Sequence, residues 1–311
     1  MSFIIGDKMI GDDDGHTFVI AEASSNHCHD IQRAIELVRV AAEAGAGAVK
    51  FQTFSCEDIA ARDVPIPDHE THGLPQYFHE IFEKGGLPRE WHRPLKAMAE
   101  DLGLIFLSTP FSMDAAKFLV DEVGVPALKI ASGDLTFTPL LEYAASINLP
   151  IIASTGGATM AEVLRAMLGP LASVSIQDRL ALLHCVSSYP CAMDDANLKA
   201  IQALQNLFPH VPIGWSDHTI SVEAVPLLAV IMGARLIEKH LTLDDAPTMD
   251  SCVSLRPDQF KRMVEMIRAV PQILGDGAKK PRASELHDRL WARRGSDGLR
   301  PTDEARAGIW E

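Results

Sequence analysis

The feature that most constrains this chain is an alternation that begins near residue 17 and continues to about residue 270. Short apolar runs rich in Val and Ile occur at Phe18–Ala21, Ala48–Phe51, Ile105–Leu107, Ala127–Ile130, Ile151–Ala153, Ala181–Leu183, Val211–Gly214 and Leu236–Ile237. Each is followed by a segment with apolar residues at helical spacing. These segments predict helices over Ile31–Ala44, Arg89–Leu102, Met113–Val123, Thr138–Ile147, Met160–Leu168, Asn197–Leu207, Val222–Met232 and Pro257–Val270. Consecutive strand–helix units demand parallel strands joined by right-handed crossovers. Eight of them close an α/β (β/α)8 TIM barrel. An open doubly wound sheet would bring a glycine-rich phosphate turn after its first strand. Here the first strand runs into Glu22-Ala23-Ser24-Ser25-Asn26.

The flanks fit around that barrel. Phe3-Ile4-Ile5, a turn at Gly6-Asp7 and Met9-Ile10 predict an N-terminal hairpin within 1–16, placed to cap the barrel bottom. The catalytic barrel is expected over 17–278. The charged stretch 279–311 reads as a short C-terminal extension with too few apolar residues for a domain of its own. The longest insertion, Ser55 to Leu87, carries Pro65, Pro67 and Pro75 and is expected to be a long loop over the barrel top.

A length of 311 residues suits one barrel of about 250 residues with extensions. The net charge of -14 argues against nucleic acid, which is bound by basic surfaces. A small anion remains a fitting ligand wherever a few lysines gather. Five cysteines without a CxxC pair indicate neither a disulfide framework nor a zinc ribbon. With no signal-like leader and no window of about 18 apolar residues, a soluble, cytoplasmic protein without a membrane partner is expected.

In such a barrel, chemistry collects at the C-terminal strand ends. Those ends read, in order, Glu22 and Asn26; Lys50 and Gln52; Ser108 and Thr109; Lys129 and Ser132; Ser154 and Thr155; His184, Ser187 and Tyr189; Ser216, Asp217 and His218; Glu238 and His240. A lysine closing an apolar run must leave water unless an anion meets it. Lys50 and Lys129, with the hydroxyls of Thr109, Ser132, Ser154 and Ser216, make a cradle for one phosphate and one carboxylate. The competing reading is an internal ion pair with Glu22 or Glu238. Some hydroxyls are better read as helix N-caps, namely Ser112, Thr138 and Thr159.

His218 and His240 each close an apolar run, so both stand where a strand meets a loop. Imidazoles on neighbouring strands can share a cation, although two unrelated histidines would give the same spacing. Two neutral imidazoles suit Mn, Co, Fe or Zn better than an all-oxygen Mg site. With so few protein ligands the ion keeps open positions, which means Lewis-acid catalysis rather than a structural knot.

The stretches IAEASSNHCHD, AGAGAVKFQTF, FLSTPFS, LKIASGDL, PIIASTGGAT, LHCVSSYPCAMDDANL, IGWSDHT and IEKHLTLD resemble the sialic acid synthase family from about residue 3 to about residue 285. Those enzymes condense phosphoenolpyruvate with an N-acylated aldose to form nonulosonic acids. The resemblance implies a TIM barrel in which His218 and His240 bind a divalent metal, usually Mn, with Mg and Co as alternatives. It implies that Lys50, Thr109, Lys129, Ser132, Ser154, Ser187 and Ser216 hold phosphoenolpyruvate. Glu22 corresponds to a carboxylate that handles protons or positions water, and Gln52, Tyr189 and Asp250 to residues contacting the sugar. A homodimer is the assembly common in the family.

The chain departs from the family pattern on the sugar side. Members usually carry a small antifreeze-like C-terminal domain, expected to be lacking here, where Trp291-Ala292-Arg293-Arg294 resembles the linker into it. His29 stands where the family prefers glycine, Pro247-Thr248-Met249-Asp250 replaces Pro-Gly-Pro-Asp, and Ser187 stands where some members have Asn. Two other functions compete with the condensing enzyme. One is a non-catalytic barrel that binds phosphoenolpyruvate or a sugar acid. The other is an aldolase, which needs Lys50 or Lys129 desolvated and neutral for a Schiff base.

Overall fold

The computed structural model of the chain describes residues 3–10, 16–67, 75–176 and 179–308. It divides into two compact units, Met1–Pro271 and Gln272–Glu311.

In the first unit, β1 (Phe3–Ile5) and β2 (Lys8–Ile10) pair antiparallel. The barrel strands are β3 (Phe18–Glu22), β4 (Ala48–Thr53), β5 (Ile105–Pro110), β6 (Leu128–Ile130), β7 (Ile151–Ser154), β8 (Leu180–Cys185), β9 (Ile213–Asp217) and β10 (Leu236–His240). Hydrogen-bonded neighbours run β5-β4-β3-β10-β9-β8-β7-β6, all parallel. β5 also packs beside β6, so the barrel is nearly closed. Most strands run past the apolar stretch that announced them, because a backbone ladder continues whatever the side chains are. β9 instead starts late, at Ile213, since Pro212 has no N–H to offer a ladder.

Alternation splits the apolar residues into two layers. Ile20, Ala48, Ile105, Leu107, Ile152, Ala181, Leu183 and Leu236 cluster inside the barrel, and Ile5 and Ile10 of the hairpin join the same cluster at 0% and 1% exposure. The hairpin is therefore a plug, each isoleucine contributing roughly 1.5–3 kcal/mol through burial. Lys8 Nζ donates to the carbonyls of Gly47 (3.2 Å) and Gly103 on the loops entering β4 and β5. The intervening strand residues, among them Val19, Val49, Phe51, Phe106, Leu182, Trp215 and Ile237, pack outward against the helices.

The helices are Ile31–Glu43, Arg89–Asp101, Met113–Lys117 continuing as a π-helix over Phe118–Val123, Thr138–Ser146, Met160–Leu168, Lys199–Leu207, Ala224–Ile231 and Pro257–Leu274. Ser112 and Thr159 cap as expected: Ser112 Oγ accepts from Ala115 N at 3.0 Å, and Thr159 forms a reciprocal box with Glu162. Thr138 does not cap. It is the first helical residue, after Phe137, and Pro139 beside it has already removed one of the donors a cap would satisfy.

The described parts of the Ser55–Leu87 insertion, residues 55–67 and 75–87, are more than plain loop. They hold a turn of helix at Cys56–Ile59 and a 3-10 turn at Phe78–Phe82, with Phe54 ring-packed on Phe82 and Phe111. The second unit has short helices at Leu286–Ala292 and Asp303–Arg306, the latter capped by Thr302 and braced by an Arg306–Asp297 ion pair at 2.6 Å. Among the described residues no helix is long and apolar enough to cross a membrane.

Candidate active site

The inward-facing set continues upward from the apolar interior as polar residues: Glu22 after Ile20, Lys50 and Gln52 after Ala48, Thr109 after Leu107, Ser154 after Ile152, Cys185 after Leu183, and Glu238 and His240 after Leu236. Glu22, Lys50, Thr109, Lys129, Ser154, Ser216, His218, Glu238 and His240 are all 5% exposed or less. So much buried polarity is tolerable only when its members satisfy one another.

Lys50 Nζ contacts Glu22 Oε2, lies 3.7 Å from Glu238 Oε2 and donates to Thr109 Oγ1 at 3.1 Å. Lys129 Nζ donates to Ser154 Oγ at 2.6 Å and lies 3.9 Å from Glu238 Oε2, whose other oxygen accepts from Ser216 Oγ at 2.9 Å. The internal ion pairing that competed with the anion cradle is therefore present, and the hydroxyls of Thr109, Ser154 and Ser216 take part in it. Glu238 and, when ionised, Glu22 offset the two ammonium groups inside this network.

The electrostatics of this quartet are unequal. Burial pushes the Glu22 carboxyl up to about 7, against the pull of Lys50 and with added repulsion from Glu238. Burial works the same way on Glu238, but Lys129 and Lys50 together hold it down to about 2. Burial lowers Lys50 less than Glu22 and Glu238 raise it, so it stays an ammonium. In an isolated ion pair the acid would fall as the base rises. Glu22 rises because its burial outweighs the pull of Lys50, whereas Glu238 falls because it draws on both ammonium groups. Lys129, desolvated with a weaker set of partners, is shifted downward.

The imidazoles of His218 and His240 meet with ring centroids 5.4 Å apart, and Tyr189 stacks on His218 at 4.1 Å. His218 Nδ1 is 2.8 Å from Val186 O and 3.7 Å from Cys185 Sγ, which leaves its Nε2 as the free lone pair. Burial lowers the His240 imidazole to about 3, so it is neutral, and its buried Nδ1 has no hydrogen-bond partner among the described residues. The uncommitted nitrogen of neutral His240 beside Nε2 of His218 fits a divalent ion. No group of three or more His, Cys, Asp or Glu converges on a metal position among the described residues.

At the ends of the adjoining strands β3 and β4, Gln52 Nε2 donates to Glu22 Oε1 at 3.1 Å and to Ser24 Oγ at 2.7 Å, while Ser24 and Ser25 donate to Asp250. Ser132 Oγ accepts from Gly156 N at 3.0 Å. A Cβ on Gly156 would lie 2.3 Å from Ser187 Oγ and 2.8 Å from Ser132 Oγ, which places Ser132, Gly156 and Ser187 at one spot. All thirteen site residues expected from the sequence thus stand at or around the barrel mouth.

Three other strand-end residues do not. Ser108 faces outward to Thr53 Oγ1 (2.6 Å), and His184 Nε2 pairs with Ala196 O (3.0 Å) while its ring packs on Trp215. Asp217 is fully buried against Lys239 at 3.2 Å. Each is one residue out of phase with the inward set. Sequence reasoning treated Glu238 only as a possible partner and overlooked Cys185 and Ser24. Parity with Leu183 would have exposed Cys185, and the two-residue step to His240 would have exposed Glu238. Ser24 carried no signal beforehand. His29, where the family prefers glycine, has φ +55°, and Ser24 (+43°) and Cys28 (+50°) share that left-handed conformation. Such a run of non-glycine residues marks a strained loop at the mouth.

The chain is similar to known proteins over most of its length. The NeuB family profile matches residues 37–279. An N,N'-diacetyllegionaminic acid synthase of Legionella pneumophila is 42% identical over 282 residues, spanning 89% of this chain and 78% of that protein. A pseudaminic acid synthase of Campylobacter jejuni is 34% identical over 285 residues, spanning 90% and 81%. The crystal structure of an N-acetylneuraminic acid (sialic acid) synthetase from Leptospira borgpetersenii superposes with a TM-score of 0.79 at 34% identity, covering 93% of this chain and 95% of that one. A 3-deoxy-D-arabino-heptulosonate 7-phosphate synthase from Thermotoga maritima, at 15% identity and a TM-score of 0.64, shares the barrel fold. With the profile spanning most of the barrel and these relatives aligned over most of their own lengths, the chain belongs to the NeuB family.

Proposed function

We propose that this chain condenses phosphoenolpyruvate with an N-acylated aldose, N-acetylmannosamine or a related sugar, giving a nonulosonic acid and inorganic phosphate. The observation that carries the proposal is the meeting of Lys50 and Lys129 with Thr109, Ser154 and Ser216 at the same end of the barrel as the His218–His240 pair. The names of the relatives, synthases of legionaminic, pseudaminic and sialic acids, support the same reaction class.

In this reading an incoming phosphoenolpyruvate takes over the ammonium groups now shared by Glu22 and Glu238. Thr109, Ser132, Ser154, Ser187 and Ser216 supply hydroxyls to its phosphate and carboxylate. Gln52, Tyr189 and Asp250 orient the sugar so that its aldehyde carbon faces C3 of phosphoenolpyruvate. A divalent ion held by His218 and His240, Mn by preference with Co or Mg as alternatives, would polarise the aldehyde oxygen as a Lewis acid. As C3 bonds to the aldehyde carbon, C2 becomes electron-poor and water adds there. Glu22, ionisable near neutrality, takes the proton of that water. Loss of phosphate by C–O cleavage leaves the 2-keto acid, with Lys50 and Lys129 stabilising the departing charge.

The test is incubation of the full chain with phosphoenolpyruvate, Mn and a panel of N-acyl hexosamines, following phosphate release and 2-keto acid formation. Turnover with at least one sugar is expected; none with any sugar rejects the proposal. A homodimer belongs to the same reading and is checked by light scattering.

A further inference from the structure

We infer that the buried Asp217–Lys239 ion pair is a positioning device for the two imidazoles. It lies on the helix-facing side of β9 and β10, in the outward parity of Trp215 and Ile237, opposite the barrel interior.

Lys239 and Asp217 are register partners on adjacent strands, and both are 0% exposed. Lys239 Nζ lies 3.2 Å from Asp217 Oδ2 and also donates to Thr219 O. Asp217 Oδ1 in turn accepts from Thr219 N at 2.8 Å. The residues on either side of His218 are therefore gripped by one side chain, and that side chain belongs to the residue immediately before His240. A shift of β9 against β10, or a twist of the turn at His218, must break this grip before it can change the spacing of the two rings.

Stability alone does not account for the pair. Removing two charges from water is costly, and apolar residues of similar volume at such a position are commonly as stable or more so. What an apolar pair cannot do is fix the register and the turn together, which is what a two-ligand metal position needs. Outer-shell groups that hydrogen-bond a metal ligand directly typically control metal affinity by about 10–100-fold; this pair acts through the backbone flanking the ligands, so its effect belongs at the low end of that range.

The inference rests on the reading that His218 and His240 hold a divalent ion, and the experiment separates the two. Mn is titrated calorimetrically into the full-length wild type, His240→Ala, the double variant Asp217→Leu with Lys239→Met, and the milder Lys239→Gln. Phosphoenolpyruvate binding without metal and the thermal midpoint are measured on each. We expect wild type to bind Mn, His240→Ala to lose it, and the folded clamp variants to bind it at least tenfold more weakly with phosphoenolpyruvate affinity retained. Unchanged Mn affinity in a folded clamp variant overturns the positioning role. So does an equal loss of phosphoenolpyruvate affinity, which signals general disruption. If the double variant fails to fold, Lys239→Gln decides by the same criteria. Wild type that takes up no Mn, or His240→Ala that binds as tightly as wild type, overturns the metal reading itself and the clamp with it.

Discussion

Replacing Glu22 with Gln should change how stability depends on pH. Burial raises the Glu22 carboxyl from 4.5 to about 7, so between those values the folded chain holds a proton that the unfolded chain has released. Stability therefore falls as pH rises through this window. The contribution is fully present below pH 4.5 and gone above about 7, and a shift of this size corresponds to on the order of 3 kcal/mol. Gln at this position does not titrate. Glu238, held low by the two lysines, is common to both proteins, and Lys50 stays an ammonium throughout the window. The difference in unfolding free energy, wild type minus variant, should thus decrease by roughly 3 kcal/mol from pH 4.5 to 8. Urea unfolding at half-unit pH steps, read by the fluorescence of the buried Trp215, measures it. A difference that is flat or grows with pH would show that the ion pair with Lys50 wins over burial and that Glu22 is ionised throughout. The argument for its acid–base role near neutrality would then fail.

Gly156→Ala sets a methyl against the hydroxyls of Ser132 and Ser187, and should raise KM for phosphoenolpyruvate about tenfold, equivalent to about 1.4 kcal/mol, with little change in thermal midpoint. Unchanged KM in steady-state assays would remove those serines from the phosphoenolpyruvate side. Ile10→Ala opens a hole in the plug at the barrel bottom and should cost about 2–5 kcal/mol in chemical denaturation, with kcat retained. A loss below about 0.5 kcal/mol, inside the scatter of surface substitutions, would mean that the hairpin does not hold the core. Borohydride treatment with a keto acid should leave Lys50 and Lys129 unmodified by mass spectrometry. An adduct on Lys129, whose ammonium burial disfavours, would revive the Schiff-base aldolase.

Much of this organisation was legible beforehand because periodicity is a local property. A run such as Ile151–Ala153 followed by the helical spacing of Met160–Leu168 needs no tertiary information to be recognised, and eight such units leave few topologies open. The motifs around Lys50, Lys129, His218 and His240 were likewise visible, since a charged residue closing an apolar run is anomalous wherever it occurs. Parity was not legible at strand ends where polar residues follow one another. His184 and Cys185 are equally good candidates on paper, and Ser216 and Asp217 equally polar.

By itself, then, the order of residues determined the barrel, the direction in which every strand end points, and the chemical types gathered there, because these follow from spacing along one chain. Only the tertiary structure decided that Glu238 sits between both lysines and that Cys185 rather than His184 faces the mouth. It also decided that Asp217 turns away to grip Lys239. Those outcomes depend on which side of a pleated strand meets the closed interior, and that is settled only when neighbouring strands lock in register and the hydrophobic plug fills the space beneath them.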